Sequence, residues 1–407
     1  MKKISILGVC LLTGLAAMAQ ESLVKDVEHT LKGSNPDYQK ALNDVQPALT
    51  NSETANTMMP WYLAGKAGVG LYENLYMMES LGQALSPDQK KMAGHALVDG
   101  YNYYFKALHL DSLPDEKGKI KPKKSKEILK TLANNYHQLR NAGIFLFDNQ
   151  DYDGAYDAWE LYCTLPQNPV LGKSAPVADP DTIIGQIRFY QGVAMLTHDK
   201  NDRALKSIQE AIKDGFQTID VYRYGVESAR RLDDSVAMLD IAKAGYEKFG
   251  TEDVIFIGQI INHYIADRNF PACFDLVNEA IKASTDNKML SQFYDIRGYI
   301  YEQDNKIDEA VADFTKATEL DDSNAKAFFD LGRMINNTVA AQLQDTSDNN
   351  VPEEQAKELL KAADLFERAY QLDEANYPMI PGILYRLYYR LGEKYVDQSN
   401  QWKALGN

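Results

Sequence analysis

The chain has 407 residues, a formal charge of −15 and charged side chains at 25% of its positions. That acidic balance argues against nucleic-acid binding, where lysine and arginine must neutralise phosphates. The length exceeds what one compact core ordinarily serves, so several domains or a repeat array are expected.

Lys2 and Lys3 lead into an apolar run from Ile4 to Met18 that closes on Ala17-Met18-Ala19. A basic start, a short apolar middle and a small-residue end have the form of a secretory leader. Residues 1–19 are therefore read as a signal peptide cleaved after Ala19, and the mature chain is expected in the periplasm or outside the cell. Cys10 lies in mid-run behind the β-branched Val9, which speaks against a lipid anchor. No later segment offers the roughly 20 apolar residues of a spanning helix. The two remaining cysteines, Cys163 and Cys273, are far apart in sequence and read as small buried residues, not as a disulfide.

Helical spacing begins with Ala41, Val45 and Ala48, read as the second helix of a degenerate opening pair over 20–51. Trp61 and Gly65 then match Gly100, Tyr104 and Ala107 across an insertion at 76–90, a pair that with a lysine-rich loop fills 52–135. From residue 136 a repeat emerges. Small or apolar residues at Gly143, Gly192, Gly225, Ile261 and Gly298 are followed twelve positions later by Ala155, Ala204, Ala237, Cys273 and Ala310. Four further on stand Trp159, Ile208, Ile241, Val277 and Phe314, and three beyond those Tyr162, Ala211, Ala244, Ala280 and Ala317. Steps of four and three share a helix face, and a constant offset of twelve implies two helices joined by a turn of fixed length. The glycine slot advances by 33, 36 and 37 residues along Gly225, Ile261 and Gly298, then by 34 to Gly332. After Gly332 the matching helix is Ala362, Phe366 and Ala369, displaced by an insertion of 18 residues in the polar segment 337–357. An apolar stretch from Ile383 to Leu391 closes the chain as a cap over 377–407.

A period near 34 with glycine in the first helix and alanine, a large residue and alanine in the second resembles the tetratricopeptide repeat. The clearest copy is Tyr294, Gly298, Tyr301, Ala310, Phe314 and Ala317, and it departs from the family at Asp322, where proline is usual. The resemblance covers nearly all of the chain beyond the leader. It implies an all-α fold, an α–α superhelical solenoid of tetratricopeptide-like helix pairs with a C-terminal capping helix, with 136–376 as one array. Strand signals are nearly absent.

Chemical motifs are sparse. Asn149, Asp151, Asp153 and Glu160 around Gly154 imitate a calcium loop. Ala155 and Trp159 in the same segment belong to the helix-pair register, so a structural turn is the expected reading and calcium a weak one. Gly65-Lys66-Ala67-Gly68-Val69-Gly70 lacks the hydroxyl residue and lead spacing of a phosphate loop, and close helix packing is expected. Six histidines form no metal-ligand pair at helical spacing, and no nucleophile elbow is present. No catalytic residue, cofactor or metal is therefore predicted, and an enzyme is not expected. The lysines from Lys117 to Lys126 read as a solvated connector, with steering of an anionic partner as the alternative. Ser112, Thr182 and Ser235 each follow an aspartate near a helix junction; N-capping explains them, and an attached O-glycan is the alternative.

In stacked helix pairs the first helices line a concave face. Positions three before, one after and four after each slot are expected to face it, which gives Arg140, Phe147, Phe189, Tyr222, with Arg223 beside it, Asn262, Tyr299, Phe329 and Arg333 as groove residues. Aromatic residues and arginine favour protein interfaces. The expected function is a non-catalytic scaffold binding a protein or peptide in the bacterial cell envelope, with carbohydrate binding as the alternative. The lysine–asparagine clamp by which some family members hold a C-terminal carboxylate has no counterpart here.

Overall fold

The computed structural model describes residues 21–343 and 351–406. The leader over 1–19 and the part of the polar insert at 344–350 lie outside the described residues. Every regular element among the described residues is helical, and they fall into two compact units that divide after Leu232.

The first unit holds α1 (21–30), α2 (Tyr38–Thr50), α3 (Met58–Ser80), α4 (Pro87–Asp111), α5 (Ser125–Asn134), α6 (Gln138–Asp148), α7 (Tyr152–Thr164), α8 (Asp181–Thr197), α9 (Asn201–Lys213) and α10 (Ile219–Arg231). Its helices pack in series: α3 against α4, α6 against α7, and α8 against α9. The glycines of the phosphate-loop look-alike lie inside α3, where each meets a different neighbour. A Cβ on Gly65 would come within 2.5 Å of the Tyr104 ring, on Gly68 within 2.5 Å of the Ala96 carbonyl, and on Gly70 within 2.2 Å of the Tyr38 ring. The glycines therefore serve the crossings of α3 with α2 and α4, as the close-packing reading expects. The insertion at 76–90 is mostly helix: α3 runs on to Ser80, and α4 starts behind a capping box in which Ser86 and Gln89 satisfy each other's backbone N–H.

The second unit holds α11 (Ser235–Phe249), α12 (Val254–Ala266), α13 (Phe270–Ala283), α14 (Asn287–Gln303), α15 (Ile307–Leu320), α16 (Ala325–Gln342), α17 (Glu353–Leu372), α18 (Ile380–Arg390) and α19 (Val396–Leu405). The C-terminal cap is thus a packed helix pair, α18 on α19, not the single helix expected. Without the usual proline at Asp322, α15 still ends at Leu320, because Asp321 turns extended and Asn324 caps α16 by accepting from the Ala327 N–H at 3.2 Å. Arg297 fastens α14 to its neighbours, donating to both oxygens of Asp313 at 2.6 and 2.8 Å and to Asn278 at 2.8 Å.

The slot rule holds at atomic distance. A Cβ on Gly143 would sit 2.1 Å from the Trp159 indole, on Gly192 2.5 Å from Ile208, and on Gly298 2.8 Å from the Phe314 ring. In each case the residue filling the hole lies sixteen positions after the slot, as the sequence pattern requires. The turn between paired helices is equally constant: Gln150, Asp199, Arg268 and Asn305 all take positive φ, seven residues after Gly143, Gly192, Ile261 and Gly298.

One repeat is displaced. Its positive-φ residue is Asp233, seven after Val226 and eight after Gly225. Counted from that turn the slot position is Val226; within α11, Ile241, Ala242 and Gly245 are buried, while Ala237 and Ala244, named from the sequence, are half-buried. The corrected slot lies 34 residues after Gly192 and 35 before Ile261, closer to the family period than the sequence reading.

Candidate functional site

In the second unit the first helix α14 also touches both α12 and α16, and their shared face borders an open cavity of about 560 Å³. Ile261, Asn262, Tyr299, Phe329 and Arg333 line it, so four of the sequence-derived groove residues come together here. Gly258, three before its slot, also lines it; the rest of the lining, Ile296, Lys326, Asp330 and Tyr377, was not named from the sequence. Ile296 and Asp330 stand two before their slots, a position the register argument omitted. Tyr377 comes from the turn after α17, and its ring lies 4.9 Å from that of Phe329.

The polar wall is a chain of charges. The Lys326 ammonium donates to Asp295 and to Asp330, each at 2.5 Å. Arg333 donates to both oxygens of Glu302 at 2.6 and 2.7 Å and to Asp330 at 3.1 Å. Asp295 is only 2% exposed, and burial pushes its carboxyl well above the ordinary range against the pull of Lys326. Burial would draw the Lys326 ammonium down, but the two carboxylates outweigh it and hold the proton in place. The Lys326 side chain remains 58% exposed and lines the cavity while its ammonium is held by the two carboxylates. A second cavity of about 400 Å³ shares Phe329 and Arg333 and continues past Asn336 and Asn337 to Arg386 and Arg390. Together they form a surface with an aromatic floor, fixed charges and amide groups, suited to an extended chain bearing mixed side chains.

The first unit treats its predicted groove residues differently. Phe147 and Phe189 are half-buried in a ladder of rings, Phe147 to Trp159 at 5.8 Å, Trp159 to Tyr190 at 6.3 Å, and Phe189 to Tyr224 at 5.5 Å. Arg140 is half-buried, and its carbonyl accepts from the Trp159 indole at 3.1 Å. Tyr222 is 3% exposed and does not face a groove. The one-residue shift of its repeat explains why: counted from Val226, the position three before the slot is Arg223, which is exposed and pairs with Asp220 at 3.1 Å. The exposed rings are Tyr190 and Tyr224, both two before their slots.

The calcium look-alike is spent on other contacts. Asp151 caps α7 by accepting from Gly154 at 3.1 Å and meets His95 at 2.6 Å. Asp153 pairs with Lys200, Asn149 donates to the Phe145 carbonyl, and Glu160 accepts from Gln191 at 3.1 Å. No two of the four groups share a partner among these contacts. Of the aspartate-hydroxyl junctions, Asp234 caps α11 as expected. Asp111 instead ends α4, with Ser112 donating back to the His109 carbonyl, and Asp181 is the first residue of α8 behind Pro180. Cys163 and Cys273 are both buried and free.

No protein-family model matches the chain, and no curated protein matches its sequence. Solved structures of similar fold include the C-terminal part of a tetratricopeptide repeat-containing protein from Cytophaga hutchinsonii, at 17% identity over 65% of this chain and 93% of that one, with a TM-score of 0.39. A tetratricopeptide repeat protein from Bacteroides fragilis is similar at 16% identity over 66% and 98%, with a TM-score of 0.28. YrrB, described as a tetratricopeptide protein with an unusual peptide-binding site, is similar at 12% identity over 63% and 95%, with a TM-score of 0.31. The slots, their partners and the constant turn make this a tetratricopeptide-type fold.

Proposed function

We propose that the chain is a non-catalytic scaffold that binds a protein or peptide in the bacterial cell envelope, through the face formed by α12, α14 and α16. The convergence of Asn262, Tyr299, Phe329 and Arg333 on one cavity carries this reading. A bound segment gains aromatic area from Tyr299 and Phe329, which lose little side-chain entropy, and finds amide and charged groups already held in place. Glu302 and Asp330 hold Arg333 as a rigid wall, and ligand acceptors fall to Asn262 and to the N–H of Lys326 not given to Asp295 or Asp330. The leader pattern over residues 1–19 supports the envelope placement. Intact-mass analysis of the native protein tests it, with a chain starting at Gln20 as the expected result.

A photo-crosslinking side chain placed at Tyr299 in living cells tests the binding reading. Reproducible capture of one envelope protein or peptide is expected, with none from the same probe at Lys243. Equal capture from both positions contradicts the proposed face.

A further inference from the structure

The connector between α4 and α5 is exposed at every position from Ser112 to Lys123, yet it is held in a definite shape. Asp115 accepts from the backbone N–H of Lys117 at 3.0 Å and of Lys119 at 2.9 Å, while its own N–H donates to the Lys119 carbonyl at 2.9 Å. Gly118 supplies the positive φ of +73° that closes this loop. At its base, Asp111 collects the N–H groups of Lys123, Lys124 and Ser125 at 2.8 to 3.0 Å. Such a loop loses little conformational entropy on meeting a surface.

Its chemistry is unlike the rest of the chain. Lys117, Lys119, Lys121, Lys123 and Lys126 are all exposed, against the carboxylates of Asp115 and Glu116. Ile120 stands among them 60% exposed, and Leu113 opens the loop 48% exposed. Exposed aliphatic groups interleaved with lysines suit the boundary of an anionic bilayer, where cations meet headgroups and apolar groups enter the acyl edge. A phosphate backbone or an acidic polypeptide would use the lysines and leave Ile120 in water.

We propose that this loop docks the protein on an anionic lipid surface. The inference goes beyond the peptide-binding reading and does not depend on it. With a formal charge of −15, the molecule as a whole is repelled by such a surface, so attachment depends on the loop.

Sedimentation of the full chain with vesicles of phosphatidylcholine alone, and with one third phosphatidylglycerol, tests the proposal. Binding to the anionic vesicles is expected to be at least about tenfold tighter and to weaken as salt shortens the screening length. Joint replacement Lys117→Gln, Lys119→Gln, Lys121→Gln and Lys123→Gln is expected to abolish it, and Ile120→Ser to weaken it severalfold at constant salt. The melting temperature of both variants should match the parent, since the altered side chains are exposed. Equal binding to the two vesicle types, full binding by the lysine variant, an inert Ile120→Ser, or displacement by polyglutamate of equal charge would each overturn it.

Discussion

At the scale of single residues, the fold rests on places where a side chain has no room. Gly298 and Gly258 make the contrast within one unit. A Cβ at Gly298 meets the Phe314 ring at 2.8 Å, whereas a Cβ at Gly258 meets nothing within 4 Å. Gly298→Ala is expected to destabilise the unit by about 1–3 kcal/mol through overpacking. Gly258→Ala, in the interior of α12, should raise stability by up to about 1 kcal/mol through helix propensity. Urea unfolding of the two variants checks both signs. Asp295 gives a residue-scale prediction in pH. Its folded value is raised from 3.8 to about 6, so the stability it contributes is fully present below the unfolded value and is lost as pH rises through the folded one. Asp295→Asn cannot titrate, while Lys326 stays charged throughout and adds only a constant offset. The stability difference should therefore move in favour of the variant between pH 3.8 and about 6 and then level off. A parallel pair of pH profiles contradicts the assignment.

At the scale of helices and their joints, much was legible in the sequence because the cause is local. Spacings of four and three place Ala310, Phe314 and Ala317 on one face without knowledge of the fold, and all three are fully buried. Misreading arose where two registers carry similar residues. Around the turn at Asp233, positions counted from Gly225 and from Val226 carry similar residues, and only the backbone at Asp233 separates the two registers. An aspartate pair, Asp233-Asp234, in the place where other turns carry an αL residue and then a cap was the available signal. Ile296 and Asp330 were missed because the position two before each slot was left out of the register, whereas Lys326 and Tyr377 reach the cavity through packing between repeats, which no periodicity within one helix encodes. The shifted register makes its own prediction. Tyr222→Ala should cost about 3–5 kcal/mol, as loss of a large buried ring does, while Arg223→Ala should stay within about 0.5 kcal/mol. Calorimetric melting distinguishes them, and equal small effects would restore the original register. The joint between α4 and α5 depends on one carboxylate in the same way. Burial pushes the Asp111 carboxyl up, but the hydrogen bonds from Lys123, Ser125 and Lys124 outweigh that and hold it below the ordinary range. Asp111→Ala should therefore speed hydrogen exchange at the Lys123, Lys124 and Ser125 amides without altering exchange in the second unit.

At the scale of the whole molecule, each unit solves the same problem of burying one helix face against the next. In the second unit the series leaves the first helices with a common face that packing does not consume, and the residues there are aromatic, amide and charged. The most direct measurement of whether that face does the work is the affinity of the cross-linked partner, rebuilt from purified components, for the parent and for two paired variants of unchanged melting temperature. Tyr299→Ala with Asn262→Ala, on the cavity, should weaken binding at least about tenfold, which is about 1.4 kcal/mol, whereas Lys243→Ala with Glu279→Ala, in the separate hollow beside Tyr246 and Tyr264, should leave it unchanged. Undiminished binding by the cavity variant, or equal losses from both, would contradict the account.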